Sequence, residues 1–384
     1  MSAAPPFPPG HAQRVAPLDG VRGIAIGMVM LVHCFWVQPA SAASRLVHHL
    51  QPGMLLGVDL FFVLSGYLIT GILLRTRDRP GYYRGFYIRR VLRILPAYYF
   101  VLALIWLVLP TFDDAVRQSH LHEQTPWYVL HLQNWLMAFG IDSGWPGVNH
   151  FWSLAVEEQF YLCWPLIVAL TPRERLRSLC VALFVVCVAT KLALIAAHAQ
   201  WTMLYMGTLT RYDGLVVGAF IATWRPQDLA RFANVASSIG IVAGIGVVAT
   251  VIASPDERTS GSVAIEATLA AIAFGAAVLR IHVRAPAWSG GLLESRALTW
   301  LGRYSYGIYL LHLPLVFLVR TWAANHAFLH DWPVNPRSFV LGLLTVAIAL
   351  VAARLMYQFL ESPALDLRHR LAPDPQSPTE ATTT

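Results

Sequence analysis

Lysine is almost absent from this chain: Lys191 is the only one among 28 basic residues. Charge of either sign is scarce, at 13% of 384 residues, where a soluble domain carries about 25%. With 56% hydrophobic residues and a mean hydropathy of +0.53, that scarcity excludes a soluble enzyme with one anchor. It predicts a polytopic membrane protein. The net charge of +7 is not the footprint of a nucleic-acid binder, because the arginines sit in short loops between apolar runs. The lone lysine reads as the mark of an arginine-biased genome, with no bearing on mechanism. Cysteine is sparse as well. Cys34, Cys163, Cys180 and Cys187 lie in apolar runs without metal-ligand spacing, which argues against a disulfide framework or metal site and for small packing residues. No cleavable signal peptide is evident after the Pro-rich start, and neither a solenoid repeat nor a transporter-like duplication is visible.

What is there is a succession of apolar segments near the roughly 20 residues that a span requires. They fall near residues 17–38, 54–75, 94–110, 150–170, 176–197, 207–224, 233–253, 262–279, 298–320 and 338–360. The fold class is therefore an all-α transmembrane bundle of about ten spans. Residues 127–139, bracketed by Trp127 and Trp135, are short enough for an interfacial or re-entrant piece. Residues 1–16 are expected to be disordered, 17–363 to form the membrane domain, and 364–384 to be a disordered cytoplasmic tail. Residues 75–93 hold seven arginines (Arg75, Arg77, Arg79, Arg84, Arg89, Arg90 and Arg93), so that loop is assigned to the cytoplasm. With ten spans and both termini cytoplasmic, the remaining basic loops fall on the same side and the loops poorer in basic residues on the other.

The first span, LDGVRGIAIGMVMLVHCFW at residues 18–36, holds Arg22 and His33. Eleven residues is about three helical turns, which puts the two on one face, about 16 Å apart along the axis. Alone, Arg22 reads as a snorkelling residue and His33 as a packing residue. Together on one face they point to function, since ionisable groups within a membrane are costly. The topology places His33, Asp59, Glu157, Glu158, Arg211, Asp213 and His312 in one outer layer on separate helices. The bland reading of that layer is an ion-pair network that holds the bundle together. His150 and Ser153 share a helix face with Glu157, and Ser305 shares one with His312. Arg22 and the Arg89, Arg90 and Arg93 cluster lie nearer the cytoplasm, where they either mark topology or grip phosphates. A carboxylate, Asp59 or one of the glutamates, is expected to orient the His33 ring so that its free nitrogen acts as a base on an acceptor hydroxyl. His33, Asp59, Glu157 and Glu158 are thus candidate catalytic residues. Arg22, Arg89, Arg90 and Arg93 are assigned to the donor, and Arg211, Asp213, His150, Ser153, Tyr309 and His312 to the acceptor.

These segments resemble a known family. LDGVRGIAIGMVMLVH, GVDLFFVLSGYLIT, FYIRRVLRILPAYY, HFWSLAVEEQFYLCWP, RYDGLVVGAFIA and YSYGIYLLHLPL are similar, in order, to signatures of the membrane-bound acyltransferase family 3, from about residue 18 to 363. The resemblance implies a bacterial inner-membrane enzyme that moves an acyl group, usually acetyl from acetyl-CoA, to a hydroxyl. The acceptor it implies is a surface polysaccharide, lipid-linked glycan, peptidoglycan or glycosylated small molecule. It implies no metal. By motif match His33 is its catalytic histidine, Arg22 the basic residue paired with it, Arg90 and Arg93 its Arg-x-x-Arg pair, and Glu157 and Glu158 its paired acidic positions. Many relatives carry a further extracytoplasmic hydrolase-like domain, which this sequence lacks. It is then expected to finish the transfer itself or hand the acyl group on. Whether His33 is a base or a transient acyl carrier stays open. The reading from another class is a transporter or flippase that uses the same charges as a proton relay.

Overall fold

In a bilayer core every backbone N–H and C=O needs an internal partner, which restricts long apolar runs like these to helices. The computed structural model describes residues 16–253, 259–283, 291–326 and 332–371, and no strand occurs among them. Ten long helices carry the fold: α1 (Ala16–Cys34), α2 (Gly57–Thr76), α3 (Tyr82–Ala103), α4 (Phe151–Leu170), α5 (Arg173–Ala196), α6 (Thr208–Ala222), α7 (Ala233–Ala253), α8 (Ser260–Val283), α9 (Arg296–Ala324) and α10 (Val334–Met356). Among the described residues, nine helical stretches are long and apolar enough to cross a membrane. They correspond to nine of the ten predicted segments.

The sixth segment differs. α6 has 15 residues, or about 22 Å, short of the roughly 30 Å hydrocarbon core. It is buried along most of its length against α2, α5 and α8, so its apolar character reflects protein packing. The third segment differs at its start. Hydropathy rises only at residue 94, but the continuous helical stretch runs over Tyr82–Thr111. Arg89, Arg90 and Arg93 therefore sit on a helix and not in a loop. Residues 127–139 form two short helices, Leu121–Val129 and Gln133–Ala138, tied to the bundle by the Gln133 side-chain amide donating to the Phe151 carbonyl at 2.8 Å. Helix continues over Ser362–Leu371, beyond the expected domain boundary at 363. The rest of the expected tail, and residues 1–15, lie outside the described residues.

Small residues let the central helices meet backbone to backbone, as in other membrane bundles. A methyl group at Gly302 of α9 would overlap the Asp19 carbonyl of α1, and one at Gly218 of α6 would overlap the Val63 carbonyl of α2. These two close crossings hold α1 against α9 and α2 against α6, the helices that carry most of the polar residues. Cys34, Cys180 and Cys187 are buried free thiols, and Cys163 is exposed.

Candidate active site

α1, α2, α3, α4 and α9 enclose a cavity of about 770 Å³, counted to its open mouth. At one end are Arg22 of α1 and Arg90 and Arg93 of α3. Arg22 is held by Asp19 one turn earlier, at 2.9 Å. The Arg90 guanidinium lies 5.3 Å from the centre of the Tyr161 ring. Along the wall, the Tyr161 hydroxyl donates to Ser65 Oγ at 3.0 Å, and Ser65 donates to Glu157 Oε1 at 2.6 Å. At the far end, Ser153 Oγ and the Tyr309 hydroxyl are 2.6 Å apart, and Tyr309 also donates to the His150 carbonyl at 3.1 Å. Arg93 is exposed and Arg22 and Arg90 are half-buried, whereas Ser153 and Tyr309 are buried; cations toward the exposed end and hydroxyls toward the buried one suit a ligand with an anionic head and an uncharged arm.

Behind Tyr309 lies a cluster of three imidazoles. The centres of the His312 and His33 rings are 5.1 Å apart, and those of His150 and His312 are 4.7 Å apart. The tautomers of two rings follow from their partners. His33 Nδ1 is 3.0 Å from the Val29 carbonyl, and His312 Nδ1 is 2.7 Å from the Tyr309 carbonyl. A carbonyl only accepts, so each neutral ring carries its proton on Nδ1. The lone pair on His312 Nε2 then faces His33 Nδ1 at 3.3 Å, and His33 is left with Nε2 as its basic nitrogen. The half-buried His33 ring lines a second cavity, at the opposite end of α1 from Arg22. The two cavities share no lining residue. Tyr309, His312 and His150 stand between the two spaces.

Several expectations need correction. The ring partner of His33 is His312, not a carboxylate. Asp59 is buried on α2 and accepts from Arg211 at 2.8 Å, so it is already committed to an ion pair. Glu157 lines the first cavity with the arginines and accepts from Ser65, and it does not meet the histidines. Glu158 does not line the cavity, although it stays within electrostatic reach of Arg90. Arg89 does not line the cavity either, since one helical step turns it about 100° from Arg90.

Arg211 and Asp213 line neither this cavity nor the His33 space. The Arg211 guanidinium sits among the rings of Tyr205, Trp152 and Phe62, at 5.2, 5.4 and 5.6 Å. Asp213 is ion-paired with Lys191, which also donates to Thr268 at 2.9 Å. Lys191 is thus a buried partner in a charge network, not a compositional accident. His150, Ser153, Tyr309 and His312 do converge. Ser65 and Tyr161 were missed by sequence reasoning. Both sit in quoted motifs, but a hydroxyl in an apolar helix carries no signal until its partner is known. Among the described residues, no group of His, Cys, Asp and Glu side chains is placed to hold a metal ion.

A family model described as an acyltransferase domain, Acyl_transf_3, matches residues 15–354. The chain belongs to that acyltransferase family. It is 30% identical over 391 aligned residues to "Putative peptidoglycan O-acetyltransferase YrhL" of Bacillus subtilis, covering 92% of this chain and 55% of the relative. It is 27% identical over 375 residues to "Peptidoglycan O-acetyltransferase OatA" of Listeria monocytogenes, covering 91% and 55%. The chain spans about half the length of these curated relatives. No solved structure matches it.

Proposed function

We propose that this family member is a multi-pass O-acyltransferase of a bacterial inner membrane, moving acetyl from acetyl-CoA to a carbohydrate hydroxyl. The observation that carries this is the first cavity: Arg22, Arg90 and Arg93 at one end, the hydroxyls of Ser153 and Tyr309 at the other, and the histidine cluster behind Tyr309. On this reading the arginines hold the phosphates of the donor from the cytoplasmic side, with charge-assisted contacts suited to a planar guanidinium. The uncharged arm then runs toward Tyr309, over a distance comparable to the about 16 Å between Arg22 and His33. His33, its Nδ1–H fixed by Val29 and turned toward His312, presents Nε2 to an acceptor hydroxyl on the other side. Tyr309 and His312 must part for the two substrates to meet; His33 then takes the hydroxyl proton as the oxygen attacks the thioester carbonyl, and the thiolate of CoA leaves. The names of the relatives support acetyl as the group and a cell-wall glycan as the acceptor class.

The test is release of free thiol from acetyl-CoA by the purified protein in detergent, with and without a membrane glycan fraction. Wild type should release thiol faster with the glycan. His33→Ala should lose the release and still bind CoA. If wild type neither binds nor cleaves acetyl-CoA, the reading is wrong.

A further inference from the structure

The His33 side of the bundle holds a cleft to which no role has yet been given. One part, about 690 Å³ including its open mouth, is lined by His33, His48, Gln51, Trp36 and Arg320. The adjoining part, about 940 Å³ on the same basis, shares Trp36 and Arg320 and adds Arg337. Among the described residues, no aspartate or glutamate lines either part. Two arginines and two histidines around one cleft make a surface complementary to an anion.

The cleft is built, not incidental. The last carbonyls of α1 have no helical partners, and Gln51 covers two of them and one just beyond: its side-chain amide donates to Leu31 at 3.2 Å, to Val32 at 3.4 Å and to Phe35. The following segment is pinned to the start of α10. Trp36 N–H donates to Ser338 Oγ at 3.1 Å, Gln38 N–H donates to Asn335 Oδ1 at 2.7 Å, and Asn335 returns a bond to the Gln38 carbonyl at 3.0 Å. This holds the Trp36 ring in the open, 55% exposed, with the Arg320 guanidinium 5.8 Å from its centre. Half-buried Arg320 donates one long hydrogen bond among the described residues, 3.5 Å to the His33 carbonyl. No described carboxylate lies in ion-pair range of it. Arg320 and Arg337 also lie at the end of the bundle opposite the arginine-rich loops, so the rule that gathers basic residues on the cytoplasmic side does not account for them.

We propose that this cleft is the acceptor site and that it selects a glycan bearing an oxyanion, carboxylate or phosphate, near the hydroxyl to be acylated. The inference rests on the acyltransferase reading and names its acceptor class. The exposed indole supplies a flat apolar face for a sugar ring. Arg320 grips the oxyanion with parallel N–H donors. His33 lines the same space, so the hydroxyl beside that anion meets the base. The group leaving the donor thus approaches from one side of the Tyr309–His312 wall and the acceptor from the other.

Binding in detergent to two matched pairs of oligosaccharides tests this. The carboxylate pair is tri-galacturonic acid and its methyl ester. The phosphate pair is maltotriose 1-phosphate and maltotriose. The anionic member of at least one pair should bind at least tenfold tighter than its neutral partner, and which pair discriminates identifies the anion. Arg320→Gln should remove most of that ratio and Arg320→Lys should keep part of it, with acetyl-CoA affinity as the folding control. If Arg320→Gln does not fold, Arg337→Gln at the accessible start of α10 carries the test, with a smaller loss of the same ratio. The proposal is overturned if neither pair discriminates in wild type, or if the ratio survives both arginine substitutions. Discrimination by a wild type that does not bind acetyl-CoA would leave the cleft standing and remove the acyltransferase reading.

Discussion

His312 occupies the place beside His33 where a carboxylate was expected, with its Nε2 3.3 Å from His33 Nδ1. The two imidazoles come from α1 and α9, which the glycine contacts between those helices hold at a fixed spacing. A neutral ring orients its neighbour as a carboxylate would, but brings no charge to balance an imidazolium. His312 is therefore a positioning residue in this account. His312→Ala should lower kcat for acetyl transfer by about 10- to 100-fold, while His33→Ala should cost about 10²–10⁴-fold, the usual range for a general base. His312→Gln, which keeps a side-chain acceptor, should recover part of the loss. Equal loss of acetyl-CoA affinity in His312→Ala would point instead to a collapsed bundle.

The arginines of α3 divide by direction. Arg90 and Arg93 line the first cavity and Arg89 does not. If they hold the phosphates of CoA, Arg90→Gln and Arg93→Gln should each weaken CoA binding about tenfold or more, since hydrogen bonds to charged groups are worth about 1.5–3 kcal/mol. Arg89→Gln should change it less than about threefold. Calorimetric titration of the three variants with CoA decides this, and an equal effect at Arg89 would mean that the cavity is not where the donor sits.

Asp59 and Arg211 form a buried pair, as do Lys191 and Asp213. Removing one member leaves an uncompensated charge and costs about 3–5 kcal/mol in a protein interior. Asp59→Asn and Lys191→Met should therefore lower the melting temperature in detergent before they affect chemistry. The double change Asp59→Leu with Arg211→Met should restore part of what each single change loses. An Asp59→Asn protein that melts like wild type but does not turn over would return Asp59 to the reaction.

The long helices were legible because hydropathy over about 20 residues reports a property of one segment alone. Pairings between segments were not. His33 and His312 lie 279 residues apart, and Asp59 and Arg211 lie 152 apart, so periodicity on either helix says which face a residue shares but not which neighbour meets it. That is why Asp59 was assigned to His33 when Arg211 had already claimed it. The shared face of His150, Ser153 and Glu157 also proved ambiguous. Ser153 meets Tyr309, His150 meets His312 edge to face, and Glu157 bonds to Ser65 on the arginine side. Lys191 did carry a signal. A single lysine within an apolar span needs a buried acid to offset its cost, and that requirement pointed to a buried partner, in the structure Asp213, more strongly than to genome composition.

His131 lies between the third and fourth predicted spans and gives the fold a pH dependence of its own. It is buried, stacks on Tyr98 with ring centres 4.3 Å apart, and holds a left-handed backbone at φ 54°. Burial takes the ring out of water and lowers its pKa from 6.5 to about 4. The unfolded chain then takes up the proton first as pH falls. Stability from this group is present above about pH 6.5 and is lost between there and about pH 4, at up to about 1.4 kcal/mol per pH unit. His131→Asn keeps a residue that tolerates positive φ and removes the titrating ring. Its melting temperature in detergent should fall less than that of wild type between pH 7 and pH 4.5. Parallel curves for the two proteins would show that His131 does not set the acid sensitivity of this part of the bundle.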